Sequence, residues 1–220
     1  MYSNNQATQH DECLICLTPL LKEISWVQLV HPLPICLHCL HQFEMIHYDI
    51  DFHHYPLHIL YHYNEFFRTL LFQYKGLYDH ALKDAFLCMF QQDMIQKYRE
   101  HVIVVAPSSY QENQKRGFAP MYTIASTFSS NIFTGLYKLE QYKQSQMEYK
   151  ERKDVLQKIG IRNGEILRNQ KVLILDDVIT SSATLYACLS HVLEYKPQSV
   201  ELLVLSTRKT KEELRFDEGG

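Results

Sequence analysis

The run KVLILDDVITSSATL, residues 171–185, constrains the fold more than any other part of the chain. Four apolar residues, Val172, Leu173, Ile174 and Leu175, lead into Asp176 and Asp177. A row of small and hydroxylated residues follows, Thr180, Ser181, Ser182, Ala183 and Thr184, and then an amphipathic segment begins. An unbroken apolar run bounded in this way reads as a strand buried on both faces, as in a parallel sheet. Leu185, Cys188, Leu189, Val192 and Leu193 recur at helical spacing, so the next element is expected to be a helix entered through the Thr/Ser loop. Two carboxylates and a row of hydroxyl and amide donors therefore meet at the carboxyl end of a strand. That is where open α/β sheets bind ligands.

This donor set suits a phosphorylated sugar. Backbone amides at a helix N-terminus form a site for phosphate, helped by the helix dipole. The hydroxyls of Thr180, Ser181, Ser182 and Thr184 add donors to the same anion. Adjacent carboxylates accept hydrogen bonds from vicinal sugar hydroxyls and can hold the waters of a bound magnesium ion. A strand ending in Asp before a Thr/Ser-capped helix also occurs for stability alone. The full run in this order favours the ligand site over that plainer account.

The second signal is amino-terminal. Cys13-x-x-Cys16 and Cys36-x-x-Cys39 are two knuckles separated by the nineteen residues 17–35. The spacing belongs to the class in which four thiolates close a tetrahedral structural zinc centre. Two disulfides are the rival account. A 220-residue chain without a signal peptide, carrying two further lone cysteines, Cys88 and Cys188, suits a reducing cytosol better. Four cysteines leave no open coordination position, so catalytic zinc is not expected. His31, His38, His41, His47, His53, His54, His58 and His62 crowd the same region, eight of the twelve histidines, and none is assigned a role.

A chain of this length accommodates one α/β domain and a small module. The expected division is a disordered 1–12, a cysteine module at 13–55 that ends in an irregular His-rich stretch, an α/β domain at 56–207 and a frayed, charged tail at 208–220. The α/β part alternates. Strands are expected at 58–63, 102–106, 132–139, 172–175 and 200–206, with helices at 64–74, 78–100, after a loop carrying Lys115, Arg116 and Gly117, and after the signature. Alternation of this kind predicts a mostly parallel, helix-flanked sheet. No apolar run reaches the roughly 18 residues needed to span a bilayer, so a soluble, cytoplasmic protein is expected. The net charge of −3 gives no global pull toward nucleic acid. Residues 143–171 differ, with eight Lys or Arg against four Asp or Glu. A solvated basic loop or an anion-contacting one both fit.

Residues 172–184 resemble the phosphoribosyl diphosphate signature of type I phosphoribosyltransferases: an apolar strand, two acids, two variable residues, then Thr-[Thr/Ser]-Gly-x-Thr. The resemblance implies that Asp176 and Asp177 face the ribose hydroxyls and that residues 180–184 wrap the 5′-phosphate. Ser182 stands where that signature has glycine, a residue that permits positive φ and close backbone approach. The departure puts tight binding and turnover in question.

Over residues 13–207 the chain is similar to the ComF family of competence proteins, which carry a phosphoribosyltransferase fold behind a four-cysteine module. The similarity rests on Tyr74-Lys75-Gly76, on 104–109 followed by Arg116-Gly117-Phe118, and on Gln146 with Arg152. Ala119 and Pro120 depart from the Asn-Gln common at that point. Membership would imply DNA uptake in natural transformation, with single-stranded DNA, a DNA-uptake helicase and a recombination-mediator protein as partners. Tyr137, Tyr142 and Tyr149 interleave with Lys138, Lys143, Lys150 and Arg152, a pattern suited to stacked bases and tracked phosphates. Lys75 and Arg116 join the candidate ligand-binding residues on the same resemblance. An active phosphoribosyltransferase of unknown acceptor is the alternative, and a site that binds without turnover is a third reading.

Overall fold

The computed structural model describes residues 11–20, 33–139, 158–180 and 182–216. In chain order its elements begin with α1 (Leu37–Leu40), β1 (Met45–Phe52), β2 (Tyr55–His62) and α2 (Glu65–Gly76). Next come α3 (Gln91–Lys97), β3 (His101–Val105), α4 (Tyr110–Arg116), α5 (Pro120–Ala125), β4 (Ile132–Phe133) and β5 (Leu136–Lys138). The rest are β6 (Ile159–Ile161), β7 (Lys171–Ile179), α6 (Ala183–Leu193), β8 (Ser199–Thr207) and α7 (Lys211–Phe216). Six strands make one sheet in the order β1-β2-β8-β7-β3-β4, and β5 pairs with β6 apart from it. Every pairing in the large sheet is parallel except β1 with β2. The expected mostly parallel, helix-flanked sheet is the one observed.

The signature strand lies at its centre. Val172, Leu173, Ile174 and Leu175 are all fully buried between β3 and β8. Successive residues of a strand point to opposite faces. Leu173 and Leu175 accordingly join the core that holds Phe67, Leu70 and Tyr74 of α2. Val172 and Ile174 join the core that holds Leu185, Cys188, Leu189 and Val192 of α6. One strand thus feeds two hydrophobic layers.

α2 begins where Asn64 Oδ1 accepts the Phe67 amide at 2.8 Å, a side-chain cap for an otherwise orphaned donor. Its buried stripe of Phe67, Leu70, Leu71 and Tyr74 recurs at the three-to-four spacing of one helical face. The cysteine region packs on the same layer: Cys13, Ile35, Cys36, Cys39 and Phe43 share the core with Tyr61 and Phe67.

Five local expectations are corrected, the first being the strand expected over 132–139, which is two: β4 in the large sheet and β5 paired with β6. The His-rich stretch is a hairpin, not irregular chain. His53 and His54 form its two-residue turn with φ of 51° and 69°, the left-handed pair that such a turn requires. The single helix expected over 78–100 is broken into a 3₁₀ turn at His80–Asp84 and α3. Asp79 Oδ1 accepts the Ala81 amide at 3.2 Å to start the 3₁₀ turn, and Ala85, Phe86 and Leu87 are buried between that turn and α3. Lys115 and Arg116 close a short helix rather than sit in a loop, with Ser109 at its start and Gly117 at φ 81° as the left-handed cap. The tail carries α7. Thr210 Oγ1 accepts from the Glu213 amide at 3.3 Å, Glu213 Oε2 accepts from the Thr210 amide at 2.7 Å, and Leu214 is buried.

Candidate functional site

β7 continues past its apolar run to Ile179, so Asp176 and Asp177 belong to the strand and not to the loop after it. Strand alternation separates them. Asp176 follows Val172 and Ile174 to the α6 side, where its charge bears on Cys188. Asp177 follows Leu173 and Leu175 to the α2 side, where its Oδ2 forms an ion pair with Lys75 Nζ. Their remaining oxygens are held locally. Asp176 Oδ1 accepts the Asp177 amide at 2.9 Å, and Asp177 Oδ1 accepts the Val178 amide at 2.8 Å.

Both charges are strained by burial. Removal from water pushes the Asp176 carboxyl up to about 6, against the pull of Lys75 and Lys138. Removal from water likewise brings Lys75 down to about 8, opposed by Asp176 and reinforced by Arg116. At neutral pH the carboxylate and the ammonium are both predominantly charged, and each supports the other.

Lys75 is placed by three elements. It sits in the last turn of α2, whose Tyr74 hydroxyl donates to Pro120 O at 2.8 Å and also meets Thr123 Oγ1 on α5. Arg116 Nε, at the end of α4, donates to Lys75 O at 2.9 Å. Arg116 Nη1 donates to Asn113 Oδ1 at 3.1 Å, and its side chain is only 8% exposed. The sequence-derived set of Lys75, Arg116 and Asp177 is thereby brought together, with Asp176 on the other face of the same strand.

The loop after β7 carries Thr180, which is exposed. Ser182 begins α6 at φ −66° and ψ −6°, a right-handed conformation open to any L-residue. Serine in place of glycine therefore meets no backbone conflict here. Ala183 and Thr184 open the first turn of α6 and are half-buried. Ser181, Lys143, Lys150 and Arg152 lie outside the described residues.

Sequence reasoning missed Arg68, Phe72 and Tyr63, which share a groove with Lys75 and Arg116. A signal existed: Arg68, Phe72 and Lys75 fall at i, i+4 and i+7, one face of α2.

The second site is built from the cysteines. The four Sγ atoms of Cys13, Cys16, Cys36 and Cys39 lie within 4.8 Å of one another, and no disulfide joins them. Cys16 Sγ is 3.6 Å from Cys36 Sγ. A tetrahedron with metal–sulfur bonds of about 2.3 Å sets its sulfurs about 3.8 Å apart, so the cluster is a possible metal site. Its knuckles are tied by the Leu14 amide donating to Pro34 O at 2.9 Å. Burial raises the Cys36 and Cys39 thiols, and a coordinated cation is the usual means by which such groups become thiolates.

The sequence model of the phosphoribosyl transferase domain family matches residues 92–217, more than half of the chain. The chain belongs to the phosphoribosyltransferase domain family. The match contains β7, α6 and the whole signature of this phosphoribosyltransferase domain, while the cysteine cluster lies before it. Among solved structures, the hypoxanthine-guanine phosphoribosyltransferase of L. donovani is 12% identical, with a TM-score of 0.36 over 62% of this chain and 77% of that one. A hypoxanthine phosphoribosyltransferase from Staphylococcus aureus is 14% identical, with a TM-score of 0.34 over 54% and 59%. A hypoxanthine-guanine phosphoribosyltransferase from Bacillus anthracis is 12% identical, with a TM-score of 0.35 over 57% and 70%. No curated protein matches the sequence. Among the described residues, no helix is long and apolar enough to cross a membrane.

Proposed function

We propose that the chain binds a phosphoribosyl diphosphate-type ligand with magnesium at the carboxyl end of β7. The observation that carries this reading is the placement of Asp176 and Asp177 at that end of the central strand, directly before the amino end of α6. Asp176 and Asp177 would accept hydrogen bonds from the ribose hydroxyls. Thr180, Ser181, Ser182, Ala183 and Thr184 would surround the 5′-phosphate, with α6 amides as donors. Lys75 and Arg116 would face the anionic side of the ligand. The donor set suits a hard cation, because the two carboxylates offer oxygen ligands, Asp177 once Lys75 turns to the ligand's anion. Magnesium, when bound, would neutralise the pyrophosphate charge, and Asp176 and Asp177 are the residues that would hold its waters.

Calorimetric titration of phosphoribosyl diphosphate with magnesium into the metal-replete protein tests this, beside Asp177→Asn. Saturable binding that the variant loses is the expected result. Equal affinity in a folded variant removes the carboxylates from the site. Release of pyrophosphate with an added acceptor would make the protein a working phosphoribosyltransferase.

A finer reading is supported by the four-cysteine cluster preceding the family domain on one chain: a ComF-like competence protein that handles incoming single-stranded DNA in the cytoplasm. Structural zinc in the cysteine cluster, a DNA-uptake helicase and a recombination-mediator protein belong to the same proposal. Lys143, Lys150 and Arg152 would track DNA phosphates, so changing all three to Gln should flatten the salt dependence of single-strand binding by about two units of slope. An unchanged slope rejects those residues as the contact.

A further inference from the structure

A groove of about 650 Å³ runs along α2 beside the carboxylate site, lined by Tyr63, Arg68, Thr69, Phe72, Lys75 and Arg116 among others. Its size is that of a small-molecule site. Three of its lining residues are cations and none is acidic. Glu65 lies 3.4 Å from Arg68, and Glu112 3.7 Å from Arg116, but both glutamates stand mostly in solvent outside the lining. Such exposed partners screen little of the charge that the groove presents. A fourth cation, the Arg208 guanidinium, lies 4.7 Å from the centre of the Tyr63 ring.

The groove is also aromatic. Phe72 is 60% exposed, on a helix whose other large apolar residues are mostly buried. Gly76 holds it there: a Cβ on Gly76 would stand 2.8 Å from Phe72 Cε2, so the missing side chain is what lets the ring lie against the helix end. Lys75 joins the two regions, lining the groove while its ammonium sits on Asp177 Oδ2.

We propose that this groove binds a planar aromatic ring carrying a carboxylate or phosphate, with the ring on Phe72 and Tyr63 and the anion among Arg68, Lys75 and Arg116. Ring-on-ring contact and charge complementarity supply the recognition. The position beside a ribose-phosphate site rests on the function proposed above; the groove itself does not. Because Lys75 and Arg116 are assigned to the anions of both ligands, each ligand draws on cations that the other uses. The two ligands therefore weaken each other's binding, and reciprocally.

The test uses the full chain, with benzoate and phenyl phosphate as probes and benzamide and inorganic phosphate as controls, followed by ligand-observed NMR. One or both anionic rings should bind saturably and at least tenfold more tightly than either control. The tighter of the two heads identifies the anion class. Phe72→Ala should weaken that binding at least fivefold and Arg68→Gln at least threefold. Both side chains are largely exposed, so the melting temperature should hold. Equal binding of benzamide, or unchanged affinity in both variants, overturns the groove assignment. Phosphoribosyl diphosphate with magnesium is titrated into the same samples. Its retention in the two variants, with the rings lost, supports two adjacent subsites. Ring binding without any sugar-phosphate binding overturns the ribose reading and leaves the groove standing.

Discussion

The cysteine cluster and the carboxylate site gather charge-bearing groups in opposite ways. Four thiols come from two short knuckles, three of them buried, and they converge on one point. The carboxylate site draws on residues 75, 116, 176 and 177, from three separate elements, and leaves a groove open beside them. The first arrangement is a possible metal site whose four thiols would leave no open coordination position. The second keeps its two carboxylates apart by strand alternation, with an ammonium paired to Asp177. A closed set of like donors contributes to folding, whereas an open set of unlike charges is useful for binding.

The largest expected effect is at the closed site. Cys36→Ser should drop metal content, read by elemental analysis, from one ion per chain toward none, with a stability loss of about 3 kcal/mol or more. Full metal content in that variant would erase the distinction between the two regions. Asp177→Asn should leave the fold intact and weaken phosphoribosyl diphosphate binding at least tenfold, about 1.4 kcal/mol, because Asn keeps the Val178 contact but drops the charge.

Asp176→Asn sharpens the comparison by moving stability and binding in opposite directions. The native carboxyl titrates near 6, above its ordinary value, so ionisation costs the folded state. That cost is absent below pH 4, grows between about pH 4 and 6, and is complete above. The neutral variant should therefore be more stable by about 1–3 kcal/mol at pH 7.5 and no more stable at pH 3.5, while binding the sugar phosphate less well. Equal stability curves in chemical denaturation at the two pH values would show that Asp176 is well solvated. Ser182→Gly carries the smallest effect. With φ at −66°, glycine gains no conformation that serine lacks, so calorimetric affinity should change less than twofold. A tenfold gain would place glycine's backbone freedom in the bound state.

Legibility followed the range of the interactions. Cys13, Cys16, Cys36 and Cys39 were readable as one site because knuckle spacing is a local property. The helix expected at 64–74, observed as α2, and the burial of residues 172–175 were readable for the same reason. The break within 78–100 was not, since the segment between its two parts is held by a contact distant in sequence, the Tyr61 hydroxyl donating to Phe86 O at 2.9 Å. The hairpin turn at His53 and His54 was hidden because the pair lacks the Asn-Gly, Asp-Gly or Gly-Gly signal of a two-residue turn. Arg68 and Phe72 carried a helical period, but a period says which face they share and not that the face would line a groove.

By itself the sequence determined the central strand, the two acids at its end, the helix after it and the grouping of four cysteines. These follow from hydrophobic period and near-neighbour spacing, which the chain carries in any environment. It took the packed layers to set Asp176 and Asp177 on opposite faces, with Lys75 bearing on both and lying between Asp177 and the groove. Those outcomes depend on which elements the sheet order brings together, and the burial that shifts both charges exists only once the layers have closed around the strand.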